Sequence, residues 1–303
     1  MENRELVDKI MEWKERRNAV ILAHNYQLGE VQDIADFTGD SLELSRKATK
    51  IDAEVIVFCG VHFMAETAYI LSPDKIVLLP DTNAGCPMAD MITGDELREE
   101  KKKHPEATVV CYVNSTAEVK AESDVCCTSS NAVRVVNSLS ESKEIIFVPD
   151  QYLGHYVAKK TQKNINLYPG YCPTHGRILL NDVLNLREAY PKALLIVHPE
   201  CRPDVIEFAD EVLSTGGMIK YCQESEKREV IVGTEMGIIY RLKKENPGKM
   251  FIPVSEQAIC PNMKLITLEK ILWSLKEMQC LVKVSENIRQ RAEEAVNKML
   301  EYV

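Results

Sequence analysis

The sequence predicts an α/β protein of three similar units, each a small parallel sheet with helices, related by a pseudo-threefold axis. Three Cys-Pro pairs indicate the repeat, because 86 residues separate Cys86 from Cys172 and 88 separate Cys172 from Cys260. Short Val- and Ile-rich runs alternate with helical segments, which is typical of buried parallel strands joined by right-handed crossovers. Features that recur at one period indicate a repeated structural unit, so we expect the cysteines in equivalent loops around a central active site.

Each unit is predicted to begin with a helix and to pass through three strands before its Cys-Pro pair. The opening helices are predicted at 5–16, 95–103 and 182–189, and the first strands at 20–23, 109–111 and 194–197. The second strands are predicted at 55–58, 145–148 and 230–232, and the helices that follow at 64–70, 154–160 and 238–244. The third strands are predicted at 76–79, 165–168 and 251–254. Apolar periodicity and the flanking Pro and Gly residues set these assignments.

A polar triplet follows the first predicted strand of each unit. Ligands of open parallel sheets bind at the carboxyl ends of the strands, so we expect the triplets to face one cavity. A single His or Tyr at a strand end is most often structural, but the shared period favours a role in binding. The triplets are His24-Asn25-Tyr26, Tyr112-Val113-Asn114 and His198-Pro199-Glu200.

A small cluster containing hydroxyl side chains comes about 16 residues after the start of each triplet. Ser and Thr before a helix usually serve as N-caps, and helix N-termini also bind anions. Capping and ligand binding can coexist at such a position. The clusters are Gly39-Asp40-Ser41, Thr128-Ser129-Ser130 and Ser214-Thr215-Gly216.

The repeat divides the chain into units at 1–92, 93–179 and 180–267, followed by C-terminal helices at 268–303 that pack on the body. These helices are predicted at 268–275 and 286–302, and we expect them to cap the third unit. An eight-stranded α/β barrel is the competing architecture at this length. A threefold repeat does not divide eight strands, which disfavours the barrel.

Composition excludes several classes of protein. The 303 residues include 37 Lys and Arg against 46 Asp and Glu, a net charge of −9 that argues against nucleic-acid or anionic-membrane partners. No apolar run approaches the roughly 18 residues of a membrane span, and the N-terminal residues are too charged for a secretory signal. These features predict a cytoplasmic protein.

The ten cysteines do not resemble a disulfide framework or a Cys-x-x-Cys zinc motif. Four lie in apolar runs and are predicted to be buried small hydrophobic residues: Cys59, Cys111, Cys222 and Cys280. The adjacent Cys126 and Cys127 point apart and are poor candidates for one metal. Cys201, after the third triplet, is the rival of the Cys-Pro trio as a ligand.

Three converging thiols suit either zinc or an iron–sulfur cluster, and a site without metal also stays possible. Structural zinc usually takes a fourth protein ligand, whereas a [4Fe–4S] cluster with three cysteines leaves one iron open. Such an iron can act as a Lewis acid. The wide spacing differs from the compact motifs of electron-transfer ferredoxins and favours a catalytic cluster.

Several segments resemble the quinolinate synthase family of NAD biosynthesis, and the resemblance covers almost the whole chain. The segments include AHNYQ at 23–27, DIADFTGDSLELSRKA at 33–48, YVNSTAEVKA at 112–121, YPGYCPTH at 168–175, VHPECRPDV at 197–205 and GTEMGIIYRLKKENP at 233–247. The resemblance implies three similar α/β domains around a [4Fe–4S] cluster. It also implies a transferase that condenses iminoaspartate with dihydroxyacetone phosphate to quinolinate, phosphate and water. The enzyme that produces iminoaspartate is a candidate partner.

The resemblance also implies the roles of individual residues. It assigns the cluster to Cys86, Cys172 and Cys260. Acid–base chemistry is assigned to four residues: Glu200, Tyr112, His198 and His175. Substrate binding is assigned to the triplets and hydroxyl clusters: His24, Tyr26, Ser41, Tyr112, Val113, Asn114, Ser129, His198, Pro199, Glu200, Ser214 and Thr215.

Two other functions remain open at this stage: a hydro-lyase of the aconitase kind, and a non-catalytic iron–sulfur sensor. The many polar residues at strand ends count against the sensor. The remaining histidines have no counterparts in the other units and are predicted to be surface or packing residues: His62, His104 and His155.

Overall fold

A computed structural model of the chain describes residues 2–142 and 144–302. Three four-stranded parallel sheets carry the fold, and each has its four strands in the order second, first, third, fourth. The described residues therefore form three separate open sheets rather than an eight-stranded barrel, which confirms the predicted α/β class with three similar domains.

The elements follow one another in the same order in each unit. The first unit contains α1 (Glu2–Arg16), β1 (Ala19–His24), α2 (Gly29–Ile34), β2 (Phe37–Gly39), α3 (Ser41–Lys50), β3 (Val55–Cys59), α4 (His62–Leu71) and β4 (Ile76–Leu78). The second contains α5 (Gly94–Lys103), β5 (Thr108–Tyr112), α6 (Ala117–Ala121), β6 (Val125–Cys127), α7 (Ala132–Ser138), β7 (Ile145–Val148), α8 (Gln151–Thr161) and β8 (Ile165–Leu167). The third contains α9 (Leu180–Ala189), β9 (Leu194–Val197), α10 (Pro203–Glu207), β10 (Glu211–Val212), α11 (Thr215–Glu224), β11 (Glu229–Gly233), α12 (Ile238–Glu245) and β12 (Met250–Pro253). Two helices end the chain, α13 (Leu268–Glu277) and α14 (Glu286–Glu301).

Equivalent hydrogen bonds show that the repeat extends to single side chains. An aspartate before the second strand of each sheet accepts from a backbone N–H of the first strand, at 2.7 to 2.8 Å in all three units. The three aspartates are Asp36, Asp124 and Asp210. Their spacing of 88 and 86 residues along the chain matches that of the polar triplets.

The structure adds one short strand and one short helix to each predicted unit. These strands, β2, β6 and β10, are two or three residues long and lie at the edge of each sheet. A segment such as Glu211–Val212 is too short and too polar to give an apolar run, so the sequence pattern does not reveal it. The sheet forms there because the neighbouring strand supplies backbone hydrogen-bond partners.

The C-terminal helices do not cap the third unit, so that expectation is wrong. Helix α14 packs mainly against α6 and β6 of the second unit and α4 of the first, while α13 packs against α1. The Asn131 side chain donates to the carbonyls of Met299 and Tyr302 at 3.1 Å, which anchors the end of α14 on the second unit. The pair therefore joins the first two units. No helix in the described ranges is long and apolar enough to cross a membrane.

Candidate active site

One cavity, with about 600 Å³ of non-atom space that includes open solvent, lies where the three units meet. Each unit contributes the end of its first strand, the start of its third helix and its cysteine loop. The predicted residues that line the cavity are His24, Tyr26, Ser41, Cys86, Tyr112, Asn114, Ser129, Cys172, His175, His198, Glu200, Thr215 and Cys260. The structure therefore brings most of the predicted site residues together.

Three predicted substrate-binding residues lie outside the cavity lining. Val113 and Pro199 occupy the middle positions of their triplets and are buried behind the wall. Ser214 is the N-cap of α11, where its hydroxyl accepts from Gly217 N at 3.1 Å and donates to Asp40 Oδ2 at 3.0 Å. The next residue, Thr215, lines the cavity instead.

The three Cys-Pro loops present their thiols to the cavity in the same way. Each cysteine is partly exposed, without a disulfide, and a short 3-10 turn begins two or three residues after it. Burial raises the pKa of Cys86 to about 12, and backbone N–H groups of Ala89 and Met88 oppose this shift. Burial likewise raises the pKa of Cys172 and Cys260, and N–H groups of the following turns again oppose it. These donors are placed to stabilise bound thiolates.

The spacing of the thiols does not suit a single zinc ion. Zinc–sulfur bonds of about 2.3 Å in a tetrahedral site require sulfur atoms about 3.8 Å apart. Within the described ranges, the one group of three metal-binding side chains with ligand atoms all within 4.8 Å is Cys172, His175 and Glu200. The three Cys-Pro thiols do not form such a group, so at least two of their sulfur atoms lie more than 4.8 Å apart, wider than one zinc ion requires.

Glu200 is the centre of the polar network in the cavity. Its Oε1 accepts from Tyr112 Oη at 2.5 Å and from Asn114 Nδ2 at 3.2 Å. Its Oε2 lies 2.7 Å from His175 Nδ1, which itself lies 3.2 Å from Cys172 Sγ. The carboxylate belongs to the third unit and its partners to the second, so the network forms only when the units pack together.

Opposing effects set the ionisation of Glu200. Burial alone would raise its pKa, but His175, His198 and the Tyr112 hydroxyl lower it below the ordinary value. Burial and the nearby Glu200 raise the pKa of Tyr112 well above its ordinary value. At neutral pH the cavity therefore holds a carboxylate that accepts a hydrogen bond from a neutral phenol.

His24 and His198 are neutral donors rather than cations. Burial lowers the pKa of each to about 3. The Nδ1 of His24 accepts from the backbone N–H of Tyr26 at 3.2 Å, and the Nδ1 of His198 accepts from that of Glu200 at 3.3 Å. With Nδ1 used as an acceptor, each neutral ring carries its proton on Nε2. Both rings can therefore donate a hydrogen bond but carry no positive charge at neutral pH.

Two buried residues in the segment GTEMGIIYRLKKENP are not singled out by the sequence pattern: Glu235 lines the cavity, and Thr234 contacts two side chains that do. The Thr234 hydroxyl lies 2.6 Å from Tyr26 Oη and 2.8 Å from His175 Nε2, which links side chains of all three units. Glu235 is fully buried and accepts from Cys260 N at 3.0 Å and from Lys264 Nζ at 2.9 Å. These residues lack counterparts in the other units, so the repeat could not reveal them.

The other cysteines and histidines lie away from the cavity lining. Cys201, the alternative candidate for a metal ligand, is fully buried. Its thiol donates to the Gly233 carbonyl of the same unit at 3.3 Å. The predicted burial is confirmed for Cys59, Cys111 and Cys222. It is wrong for Cys280, which is partly exposed with a positive φ of 65° in the turn after α13.

Comparison with known proteins identifies the family. The sequence model described as "Quinolinate synthetase A protein" matches residues 8–301. The chain belongs to the quinolinate synthase family. A quinolinate synthase from Dehalococcoides mccartyi strain CBDB1 is 65% identical over 301 residues, 99% of each chain. One from Thermodesulfovibrio yellowstonii is 57% identical over 295 residues, 97% of each chain. One from Methanosarcina barkeri is 56% identical over 300 residues, 99% of this chain and 98% of the relative.

Proposed function

We propose that this member of the quinolinate synthase family condenses iminoaspartate with dihydroxyacetone phosphate. The products are quinolinate, inorganic phosphate and two molecules of water, which balances the atoms of the two substrates. The reaction forms one carbon–carbon and one carbon–nitrogen bond, and it breaks the carbon–oxygen bond to phosphate. It is a transfer reaction of NAD biosynthesis, and its substrates are small anions.

The cysteine trio fits a [4Fe–4S] cluster as the resident cofactor. Three loops offer one thiol each, backbone N–H groups face the sulfur atoms, and at least two of the sulfur atoms lie more than 4.8 Å apart, which is wider than one zinc ion requires. Cys86, Cys172 and Cys260 would hold three of its irons. When bound, such a cluster supplies an iron with an open coordination position, which is a Lewis acid.

The cavity can bind anions although the protein is acidic. Ser41 and Thr215 offer hydroxyl groups as the first residues of α3 and α11, and Ser129 offers one from the turn before α7. The neutral rings of His24 and His198 carry N–H groups, which suit carboxylate oxygens. We assign these five residues to substrate binding, because they combine donor groups with positions on the cavity wall.

We assign proton removal to Glu200. Ring formation requires several protons to leave carbon and nitrogen, and a fixed carboxylate is a suitable base. Tyr112 and Asn114 hold Oε1 in place, while Oε2 has only one close donor and retains acceptor capacity toward the cavity. The chain from His175 through Thr234 to Tyr26 offers a route for protons across the cavity.

The observation that carries this proposal is the position of the Glu200 network beside Cys172, in a cavity to which all three units contribute thiols. An iron–sulfur sensor has no need of a buried carboxylate with three donors. Family membership favours quinolinate synthesis over the reaction of an aconitase-like hydro-lyase.

The test is turnover by anaerobically reconstituted protein. Quinolinate should form from iminoaspartate and dihydroxyacetone phosphate, with one phosphate released per quinolinate. Iron and sulfide analysis of the same sample should give four of each per chain. A fully loaded protein that makes no quinolinate, or one that hydrates a dicarboxylate instead, would refute the assignment.

A further inference from the structure

A second, outer cavity opens beside the reaction cavity. It has about 1,090 Å³ of space open to solvent, and it shares Asp40 and Ser129 with the lining of the reaction cavity. We call it the vestibule. The two cavities are therefore adjacent, and the residues that they share lie just before α3 and α7.

Three cations line the vestibule at equivalent positions of the three units. Arg46, Arg134 and Lys220 lie on α3, α7 and α11 respectively. Their spacing of 88 and 86 residues repeats that of the polar triplets. The pseudo-threefold repeat therefore brings one cation from each unit to the same opening.

These cations have few partners within the protein. In the part of the chain that the structure describes, neither arginine has a carboxylate within 4.0 Å, and Lys220 only reaches Glu224 at 4.0 Å. One guanidinium nitrogen of Arg46, Nη2, is buried without a hydrogen-bond partner among the described protein groups. A buried guanidinium N–H without an acceptor is costly, so this group is suited to an anionic ligand.

The two carboxylates of the vestibule are occupied by backbone donors. Asp40 accepts from the N–H groups of Leu42 and Glu43 at 3.0 Å and from the Ser214 hydroxyl at 3.0 Å. Glu43 accepts from Asp40 N at 2.8 Å. Together they form the capping box of α3, so the positive end of that helix offsets their charge.

The interior of the reaction cavity does not attract anions by charge. Its Glu200 is ionised, and burial keeps His24 and His198 neutral by lowering the pKa of each. The whole chain carries a net charge of −9. An anionic substrate therefore needs a local positive field at the opening, and clustered cations can supply one.

We propose that Arg46, Arg134 and Lys220 form an outer binding site for a dianionic phosphate group. The site captures the phosphate monoester substrate before it enters the reaction cavity and receives inorganic phosphate as it leaves. This inference rests on the proposed function for the identity of the phosphate ester. The binding site itself is tested without turnover.

The experiment compares charge-neutralised variants with a matched control. The test variant combines Arg46→Gln, Arg134→Gln and Lys220→Gln. The control combines Lys192→Gln, Lys243→Gln and Lys283→Gln, which removes the same charge from exposed positions outside the vestibule. Because Arg46 is partly buried, a double variant of Arg134→Gln and Lys220→Gln provides a test that leaves Arg46 in place.

Binding is measured by titrating each protein with inorganic phosphate, with glycerol 3-phosphate and with uncharged dihydroxyacetone. We expect phosphate and the phosphate ester to bind about 10-fold more weakly to the triple variant, and several-fold more weakly to the double variant. Binding of dihydroxyacetone and the affinities of the control should not change. The titration with glycerol 3-phosphate tests whether a phosphate ester such as the substrate binds to the site. The titration with inorganic phosphate tests whether the product binds there.

Kinetics provide a second readout. If clustered charges steer the substrate, kcat/KM of the wild type for dihydroxyacetone phosphate should fall as the ionic strength rises. At low salt, kcat/KM of the triple variant should be roughly 10-fold below that of the wild type. The kcat of the triple variant should stay within about twofold of the wild-type value. If the triple and double variants both keep the wild-type phosphate affinity and salt dependence, the outer site is refuted and the proposed function is unaffected. If phosphate binding depends on the vestibule cations but the protein makes no quinolinate, the outer site stands and the proposed function is refuted.

Discussion

The cysteine loops and the strand-end triplets recur with the same period but differ in what they deliver. Each loop supplies a thiol, a proline and a short 3-10 turn, so the three loops are chemically alike. The triplets supply a neutral histidine and a tyrosine in the first unit, a tyrosine and an asparagine in the second, and a histidine and a carboxylate in the third. A symmetric set of thiols therefore lies beside an asymmetric set of acid–base groups.

The surroundings of the thiols already depart from this symmetry. Cys172 has a histidine ring nitrogen 3.2 Å from its sulfur, whereas the backbone of Cys260 is held by the buried Glu235. The difference fits the proposal that the repeated cysteine loops hold the cofactor, whereas residues that depart from the repeat carry out the chemistry. Substitutions in the two regions should therefore fail in different ways.

The largest effect is expected at the cysteine loops. Replacing Cys86, Cys172 or Cys260 by Ser removes one of three equivalent ligands, so each variant should lose normal cluster assembly and all quinolinate formation. Iron and sulfide analysis after anaerobic reconstitution measures the cluster. Cys201→Ser and Cys222→Ser are matched controls that should keep it, because both thiols are buried away from the cavity lining. A full cluster in any one of the three variants would show that the replaced cysteine is not a required ligand and that the three loops are not equivalent.

Glu200→Gln should retain the cluster and lose catalysis. The change is nearly isosteric and removes only the negative charge, so the fold should tolerate it. We expect kcat to fall by roughly 10²-fold or more, the usual scale for the loss of a catalytic base. Activity assays and iron analysis on the same preparation test this. Near-wild-type kcat with a full cluster would make the carboxylate structural.

Tyr112→Phe should have a smaller effect with a distinct signature. The lost hydrogen bond to a charged group costs about 1.5–3 kcal/mol, which corresponds to a fall in kcat of about 10- to 100-fold. Since the Tyr112 hydroxyl is one of the groups that lower the pKa of Glu200, its removal should move the acid limb of the pH–rate profile to higher pH. A lower rate with an unshifted acid limb would mean that Tyr112 does not act through Glu200.

The last effect is on stability against pH rather than on catalysis. His24 and His198 have pKa values lowered to about 3, so below pH 6.5 the unfolded chain binds protons that the folded chain does not. The contribution of these two histidines to the free energy of unfolding should therefore fall as the pH decreases from about 6.5 toward 5, by about 1.4 kcal/mol per pH unit for each histidine. Glu200, whose pKa is lowered, loses its contribution only below its ordinary value near 4.5, outside this window.

Urea unfolding between pH 5 and 7.5 measures this slope. His198→Gln should reduce the slope by the contribution of one histidine, and the double variant with His24→Gln should reduce it by the contributions of both. An unchanged slope in the double variant would show that these histidines are not held neutral in the folded protein.

Local pattern explains why so much of the fold could be predicted. The opening helices, the long strands and the Cys-Pro loops each depend on a few consecutive residues, so apolar periodicity and Pro or Gly signals identify them. The edge strand Glu211–Val212 could not be predicted, because two residues, one of them charged, form no apolar run and the neighbouring strand supplies the pairing. The sequence pattern could not predict that α14 packs on the first two units, because an apolar helix face does not identify the surface that it packs against.

The sequence by itself determined the three-unit α/β architecture, the cysteine trio and most of the residues that line the cavity. These features could be predicted because they recur with the period of the sequence repeat. Only the tertiary structure decided which polar groups meet. Tyr112 and Glu200 are 88 residues apart along the chain, and they form a 2.5 Å hydrogen bond only because the second and third units pack against each other. The same packing buries His24 and His198, and this burial makes them neutral donors rather than cations. Charge state depends on desolvation and on neighbours from distant parts of the chain, which no local pattern records.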